Sequence, residues 1–131
     1  EMCIETDVSA GFDPLFPEVN DAKNAAYLNN GIVFNKYTGS RGKSGSNDAN
    51  PEFIAQIRRI MDEGDIHYQT AELGKVDQGG GGTIAKFMAN RNIDTIDAGV
   101  PVLSMHAPFE VVSKLDCYMT YKGVLAAYMD K

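Results

Sequence analysis

Short apolar runs alternate with segments of helical periodicity along most of the chain. Strands are predicted over residues 2–6, 31–34, 66–71 and 95–100, with residues 102–103 extending the last one. The run at 31–34 is apolar throughout, which is typical of a strand that is buried on both faces. Because helical segments separate the strands, the pattern favours an α/β layered sheet that is at least partly parallel.

The first predicted helix has recognisable signals at both ends. Apolar residues recur at helical spacing over 53–61, and Pro51 suits the first turn. Either Asp48 or Asn50 is a suitable cap before it, and Gly64 is a suitable terminator. These signals bracket one amphipathic helix.

Two more helices are predicted downstream. A short one covers residues 83–90, and a longer one follows Ser113, which is a candidate cap. The apolar stripe of the last helix is predicted from side chains at helical spacing: Tyr118, Tyr121, Val124, Leu125 and Tyr128. We interpret its three tyrosines as core and interface packing.

Two segments lack the periodicity of a helix or a strand. Residues 37–50 are rich in Gly, Ser, Asn and Lys and are predicted to form a long polar loop, a kind of loop that tends to be functional or mobile. Residues 79–82 are four consecutive glycines. Glycine loses much conformational freedom on folding, so this run indicates a sharp bend or a close approach of the backbone.

Composition narrows the classes of partner. The chain has 131 residues, 44% of them hydrophobic, and a net charge of −6, which argues against a nucleic acid or an anionic membrane as the partner. No apolar run approaches the ~20 residues of a membrane helix. Cys3 and Cys117 form no CxxC pair, so we interpret them as reduced thiols of a cytoplasmic protein.

His106 is the first candidate for chemistry. It follows an apolar strand, between Pro101 and Pro108, at a position where open α/β sheets build their sites. A lone loop histidine is more often structural than a ligand, although imidazole binds zinc well when a neighbouring acceptor fixes its tautomer. Glu110 or Asp77 is a candidate for that acceptor. The other histidine lies in a predicted strand and is interpreted as structural.

Asp7 and the glycine run are the next candidates. A carboxylate at the end of a strand, such as Asp7, is commonly only a cap. The glycine run is not a Walker phosphate loop, because Lys86 follows Thr83 instead of preceding a Ser or Thr. A helix that starts after Gly82 still presents free N–H groups. A non-catalytic anion- or nucleotide-binding module, or a structural module, therefore remains an alternative.

Three runs carry a resemblance to a known family. They are ELGKVDQGGGGTI at residues 72–84, VLSMH at 102–106 and YTGSRGK at 37–43. With them, the chain resembles the aspartyl aminopeptidase/aminopeptidase I family of dinuclear zinc metallopeptidases, especially its bacterial members. The resemblance covers nearly the whole chain. It implies a three-layer α/β/α zinc-peptidase-like fold, of which this chain holds part of the sheet.

The resemblance also implies roles for particular residues. Asp7 and His106 match zinc ligands of the family, one for each of two ions, with Asp13 as the nearest competitor of Asp7. Residues that match substrate-binding positions are Val8, Gly81, Gly82 and Thr83. The implied reaction releases N-terminal amino acids from peptides, with zinc as the cofactor (cobalt or manganese also suit such ligands) and a homo-oligomer as the assembly.

The remaining parts of the family's site have no match here. A first histidine ligand, a bridging aspartate, a glutamate ligand and the catalytic glutamate all precede the position of Asp7 in the family. The family's separate oligomerisation domain, inserted between its catalytic segments, has no match either. We therefore expect residues 1–131 to be the C-terminal part of a catalytic domain. Catalytic residues are expected outside this chain, which is predicted to be inactive alone because zinc sites usually need three or four protein ligands.

Overall fold

A computed structural model describes residues 2–40, 44–75, 77–81 and 83–130. The strands are β1 (Met2–Ala10), β2 (Ile32–Asn35), β3 (Tyr37–Ser40), β4 (Ser44–Asp48), β5 (Tyr68–Thr70), β6 (Asp94–Leu103) and β7 (Val111–Val112). The helices are α1 (Pro51–Glu63), α2 (Ala85–Ala89) and α3 (Lys114–Met129), and Pro17–Val19 forms a single 3-10 turn. No helix among the described residues is long and apolar enough to cross a membrane.

The main sheet is mixed, with the strand order β1-β6-β2-β5 and with β7 also paired to β6. Strand β1 runs parallel to β6, and β5 parallel to β2, whereas β2 and β6 are antiparallel. The register aligns Glu5 of β1 with Asp97 of β6, and Asp97 with Asn35 of β2. The prediction of a layered, partly parallel sheet is therefore confirmed, and the register creates a row of polar residues across three strands.

One face of the sheet carries the apolar core. Helices α1 and α3 cover this face. Because side chains alternate along a strand, only every second residue of each strand reaches it. The buried members of this core are Ile32, Phe34, Ala49, Phe53, Ile57, Ile60, Met61, Ile66, Ile96, Ala98 and Met119. Each large aliphatic side chain among them contributes roughly 1.5–3 kcal/mol by leaving water.

The predicted ends of α1 are confirmed. The side chain of Asn50 accepts a hydrogen bond from the Phe53 backbone N–H at 2.7 Å, and Pro51 occupies the first turn. Gly64 closes the helix with a hydrogen bond to the Ile60 carbonyl. Of the two candidate caps, Asn50 is therefore the one used.

The predicted apolar stripe of α3 does not face the core of this chain. Tyr118, Tyr121 and Tyr128 are 57%, 62% and 86% exposed, although Ser113 caps the helix as expected by accepting from the Leu115 N–H. The buried positions of the helix are instead Asp116, Met119 and Gly123. A Cβ at Gly123 would lie 3.2 Å from the Met61 sulfur, so the small residue lets α3 approach α1 closely.

A buried carboxylate joins α3 to the start of β2. Asp116 is fully buried and accepts hydrogen bonds from the backbone N–H groups of Asn29 and Gly31, each at 2.8 Å. Gly31 has φ = +90° and lies against the His67 carbonyl, so a side chain there would collide with the backbone. Asp116 therefore stabilises a turn whose conformation depends on Gly31.

The prediction of a long polar loop over residues 37–50 was wrong. Strands β3 and β4 form an antiparallel ribbon there, with Tyr37 opposite Asp48. The Ser46 hydroxyl donates to the Tyr37 hydroxyl oxygen at 3.0 Å across the ribbon. A ribbon with few apolar residues lacks the alternation that reveals a strand in a sequence. Arg41 and Lys43, which belong to the run shared with the family, lie outside the described residues.

Two element boundaries also differ from expectation. Strand β1 continues four residues beyond the predicted end at Thr6, so Asp7 lies within the strand rather than after it. Helix α2 is only five residues long, Ala85–Ala89, instead of spanning 83–90. Pairing with β6 along its whole length accounts for the longer β1.

Candidate metal and substrate site

A cavity of about 190 Å³ opens on the second face of the sheet, near the middle of β1 and β6. It is lined by Asp7, Val8, Asn35, Leu73, Gly81, Thr83, Asp97, Ala98, Met105 and His106. The structure thus brings together all the described residues that the sequence singled out for metal or substrate binding. Gly82, the remaining one, lies outside the described residues.

A larger groove of about 420 Å³ lies between β1, α1 and α3. Its walls are mainly apolar, with Ile4, Phe53, Ile57 and Ile60 among them. The smaller cavity is the better candidate, because it combines carboxylates, an imidazole and the glycine segment.

Asp7 is placed by the close pairing of β1 and β6. It lies opposite Gly99, where a Cβ would come within 1.4 Å of the Asp7 carbonyl oxygen, so only glycine permits this approach. The Val8 backbone N–H donates to Asp7 Oδ1 at 2.7 Å and fixes the carboxylate, which is exposed. The competitor Asp13 lies elsewhere and accepts from the Leu15 N–H in a local turn.

His106 is held by a tight loop after β6. Ser104 and His106 both have positive φ, +59° and +69°, a conformation that is uncommon for residues other than glycine and often found at functional sites. Glu110 Oε1 accepts from the His106 backbone N–H at 2.6 Å. Glu110 therefore shapes the loop through the backbone instead of orienting the imidazole as expected, and Asp77, the other proposed acceptor, does not line the cavity.

The glycine segment forms the turn on the opposite side of the cavity. The Gly79 N–H donates to the Lys75 carbonyl at 2.7 Å, and a Cβ at Gly79 would lie 2.6 Å from the Lys75 nitrogen. Gly80 has φ = +138°, which requires glycine. Both residues thus have a steric reason to be glycine, whereas Gly81 reaches the cavity wall.

Helix α2, which follows the glycine segment, is a poor anion site. It has five residues and no side-chain cap at its start. A helix of little more than one turn aligns few peptide dipoles and presents few oriented N–H groups. The geometry therefore counts against the nucleotide-binding alternative.

A buried polar row beside the cavity was missed in the sequence. Asp97 and Asn35 are 2% and 4% exposed, and Ser9 is fully buried. The side chains of Ser9 and Asn35 form a hydrogen bond of 3.2 Å with each other. Thr83 Oγ1 donates to Asp97 Oδ2 at 2.9 Å, which ties the glycine segment to β6. The signal for this row was a carboxylate inside the buried run Ile96-Asp97-Ala98.

Glu5 completes the row at the outer strand. Burial, followed by its hydrogen bond to Asp97 and the nearby charges of Asp97 and Asp7, raises the pKa of Glu5 to about 8. Glu5 Oε2 and Asp97 Oδ1 are both buried and have no donor among the described side chains. A proton held by Glu5 and directed at Asp97 would satisfy both oxygens, in line with the raised pKa of Glu5.

The donors in the cavity suit zinc in kind but not in number. A carboxylate oxygen from Asp7 and an imidazole nitrogen from His106 are both ordinary zinc ligands. Within the part of the chain that the structure describes, no group of three His, Cys, Asp or Glu side chains is arranged to hold a metal ion. Further ligands would have to come from outside these residues.

Comparison with known proteins gives a consistent result. The family described as aminopeptidase I zinc metalloprotease (M18) matches residues 1–128. Among curated relatives, proteins named "Probable M18 family aminopeptidase 1" are 60% identical over 123 residues in Clostridium acetobutylicum and 51% identical over 118 residues in Thermotoga maritima. These alignments cover 94% and 90% of this chain but only 26% of each relative.

Solved structures agree with the sequence matches. The crystal structure of aminopeptidase I from Clostridium acetobutylicum superposes with a TM-score of 0.91 at 57% identity, over 99% of this chain and 28% of that one. The M18 aminopeptidase of Thermotoga maritima gives 0.88 at 49% identity, over 94% of this chain and 27% of that one. The chain therefore spans about a quarter of the length of the proteins that it matches.

Proposed function

Because the chain belongs to the M18 family of aminopeptidase I zinc metalloproteases, we propose that it forms one side of the active site of a zinc-dependent aminopeptidase. The reaction is the release of N-terminal amino acids from peptides. The observation that carries this proposal is the cavity in which Asp7, His106, Gly81 and Thr83 meet. A carboxylate and an imidazole beside a cavity of about 190 Å³ suit metal-assisted hydrolysis at the end of a peptide.

Within such an enzyme, residues 1–131 are the C-terminal part of the catalytic domain. The remaining metal ligands and the glutamate that moves the proton come from another part of a longer polypeptide. The quarter-length match to the relatives supports this division. The chain alone is expected to be inactive, since two ligands on different ions hold zinc weakly.

Each residue at the cavity has a distinct proposed task. Asp7 and His106 would each hold one of two zinc ions, and zinc at this place would supply Lewis-acid activation of a water and of the scissile carbonyl. The Val8 N–H keeps the Asp7 carboxylate in one orientation, while the Val8 side chain, 40% exposed, offers an apolar contact to the substrate. Gly81 and Thr83 bind the peptide from the opposite wall, and Gly82, their neighbour in the sequence, is proposed to bind it as well.

The metal, the assembly and the location of the complete enzyme are part of the same proposal. Zinc is the expected native metal, with cobalt or manganese as workable substitutes for N and O ligands. The complete enzyme is expected to be a homo-oligomer located in the cytoplasm. Neither nucleic acid nor membrane is expected as a partner, in line with the net charge of −6.

The test uses a full-length polypeptide that contains residues 1–131. Asp7→Asn and His106→Ala should each lower bound zinc from about two ions to about one and reduce peptidase activity at least ~100-fold, because the metal supplies several kcal/mol of transition-state stabilisation. Zinc is measured by elemental analysis, and activity with peptides that have a free or an acetylated N-terminus.

Matched controls come from the same chain. Asp13→Asn and His67→Ala change the same residue types outside the cavity and should leave zinc content and activity within about twofold. Full zinc content in Asp7→Asn or His106→Ala would refute the ligand assignment. Strong zinc-dependent peptidase activity of the isolated 131-residue chain would refute the proposed division of the site.

A further inference from the structure

Asp97 is the most buried charged group at the cavity. It is 2% exposed and lies on β6, in the middle of the sheet. Burying a carboxylate is unfavourable unless donors surround it. Among the described residues, the Thr83 hydroxyl donates to Asp97 Oδ2, and Glu5 lies opposite Asp97 on β1. Asp97 therefore lies between Glu5 and Thr83, and Thr83 lines the cavity with it.

The Thr83 hydroxyl has only one proton to give. Thr83 Oγ1 lies 2.9 Å from Asp97 Oδ2, so that proton points toward the carboxylate. A hydroxyl that has donated its proton keeps only acceptor capacity. Thr83 is half-buried and forms part of the cavity wall, so this acceptor is what an incoming molecule can reach.

We propose that Asp97 is a positioning residue that makes Thr83 a hydrogen-bond acceptor for a main-chain N–H of the peptide substrate. The inference rests on the proposed function and adds the chemical group that this wall recognises. Because Asp97 accepts the hydroxyl proton of Thr83, the Thr83 oxygen discriminates against carboxylate or carbonyl oxygens of a ligand and favours N–H donors. The alignment of Asp97 with Asn35 and Glu5 across three strands keeps this geometry rigid.

The variant Asp97→Asn tests the direction of the hydrogen bond. The amide that replaces the carboxylate can donate to Thr83 Oγ1, which releases the hydroxyl proton toward the cavity. In the full-length enzyme we expect KM to rise about tenfold, the size of one hydrogen bond near 1.4 kcal/mol, while kcat changes less. Zinc content should stay at the wild-type value.

Three companion variants separate positioning from general damage. Thr83→Val should raise KM as much as Asp97→Asn, the double variant should be no worse than either single one, and Thr83→Ser should restore most of the loss. Thr95→Val is the matched control, because Thr95 is a buried threonine of β6 whose hydroxyl binds the Ile93 carbonyl and does not line the cavity. It should change stability without changing KM.

A set of non-hydrolysed peptide analogues, each with one main-chain N–H replaced by N-methyl, identifies the donor. The wild type should bind one methylated analogue about tenfold more weakly, and this discrimination should vanish in Thr83→Val and Asp97→Asn. Unchanged discrimination in both variants, or KM effects no larger than those of Thr95→Val, would overturn the inference. Because zinc binding is measured separately, such a failure would leave the assignment of Asp7 and His106 standing.

Discussion

The two faces of the main sheet are made by alternate residues of the same strands, yet they bury opposite kinds of side chain. Ile96 and Asp97 are neighbours on β6 and are both 2% exposed. Ile96 enters the core beneath α1 and α3, whereas Asp97 joins Glu5 and Asn35 in the polar row beside the cavity. Burial is thus equally complete on both faces. Burying Ile96 stabilises the folded state, whereas burying Asp97 costs free energy.

The apolar face stabilises the fold, whereas the cavity face provides the groups for chemistry. On the apolar face, each buried side chain adds to the free energy of unfolding. On the cavity face, burying a polar group costs free energy, which hydrogen bonds such as Ser9–Asn35 and Thr83–Asp97 offset in part. Such groups are weakly stabilising at best, so their presence on this face points to a use in recognition or catalysis.

The largest effect is expected on the apolar face. Ile32 is 1% exposed, and Ile32→Ala should lower the free energy of unfolding of the 131-residue chain by about 2–5 kcal/mol through lost burial and a cavity. Urea denaturation followed by circular dichroism measures this as a lower midpoint at an unchanged slope. Leu15→Ala, at a side chain that is 80% exposed, is the control and should stay within about 0.5 kcal/mol.

A smaller loss of stability is expected on the cavity face, and a second substitution there should reverse part of it. Ser9→Ala should cost about 1–2 kcal/mol, because it leaves the buried Asn35 amide without its side-chain partner. Adding Asn35→Leu removes both polar groups, so the double variant should be more stable than Ser9→Ala alone. The same denaturation assay checks this order, and a double variant that is less stable would mean that this face also supports the fold.

The third effect concerns the pH dependence of the metal-free chain, and it is reduced by solvent screening because Glu5 is only partly buried. Glu5 has a pKa of about 8 when folded, against its ordinary 4.5. Between these values the folded chain retains a proton that the unfolded chain has lost, so the free energy of unfolding falls as pH rises from about 4.5 to 8. The stabilisation is fully present below pH 4.5.

Replacing Glu5 by glutamine removes this titration while keeping a neutral hydrogen-bonding group opposite Asp97. Denaturation midpoints collected every half pH unit should fall less steeply with pH in Glu5→Gln than in the parent chain. Asp97 and Asp7 are the charged groups that act on Glu5, and both remain in the variant. Identical pH profiles for the two chains would show that Glu5 does not hold the proton.

The sequence by itself determined the local elements and the shared motifs. The cap at Asn50, the terminator at Gly64 and the buried strand Ile32–Asn35 follow from signals a few residues long, which local chemistry is enough to specify. The motif residues Asp7 and His106 were likewise singled out, and the structure placed them at one cavity. Their roles as metal ligands remain a prediction.

Only the tertiary structure decided which side of α3 is buried and how the polar row is assembled. Helical spacing alone predicted that the tyrosines of α3 form its buried side. In the structure, Gly123 lets the other side of α3 pack closely on α1, and Asp116 binds the turn before β2. The row of Glu5, Asp97 and Asn35 depends on the register of three strands that are far apart in the chain. Register is set by pairing across the sheet, and no local pattern within one strand contains it.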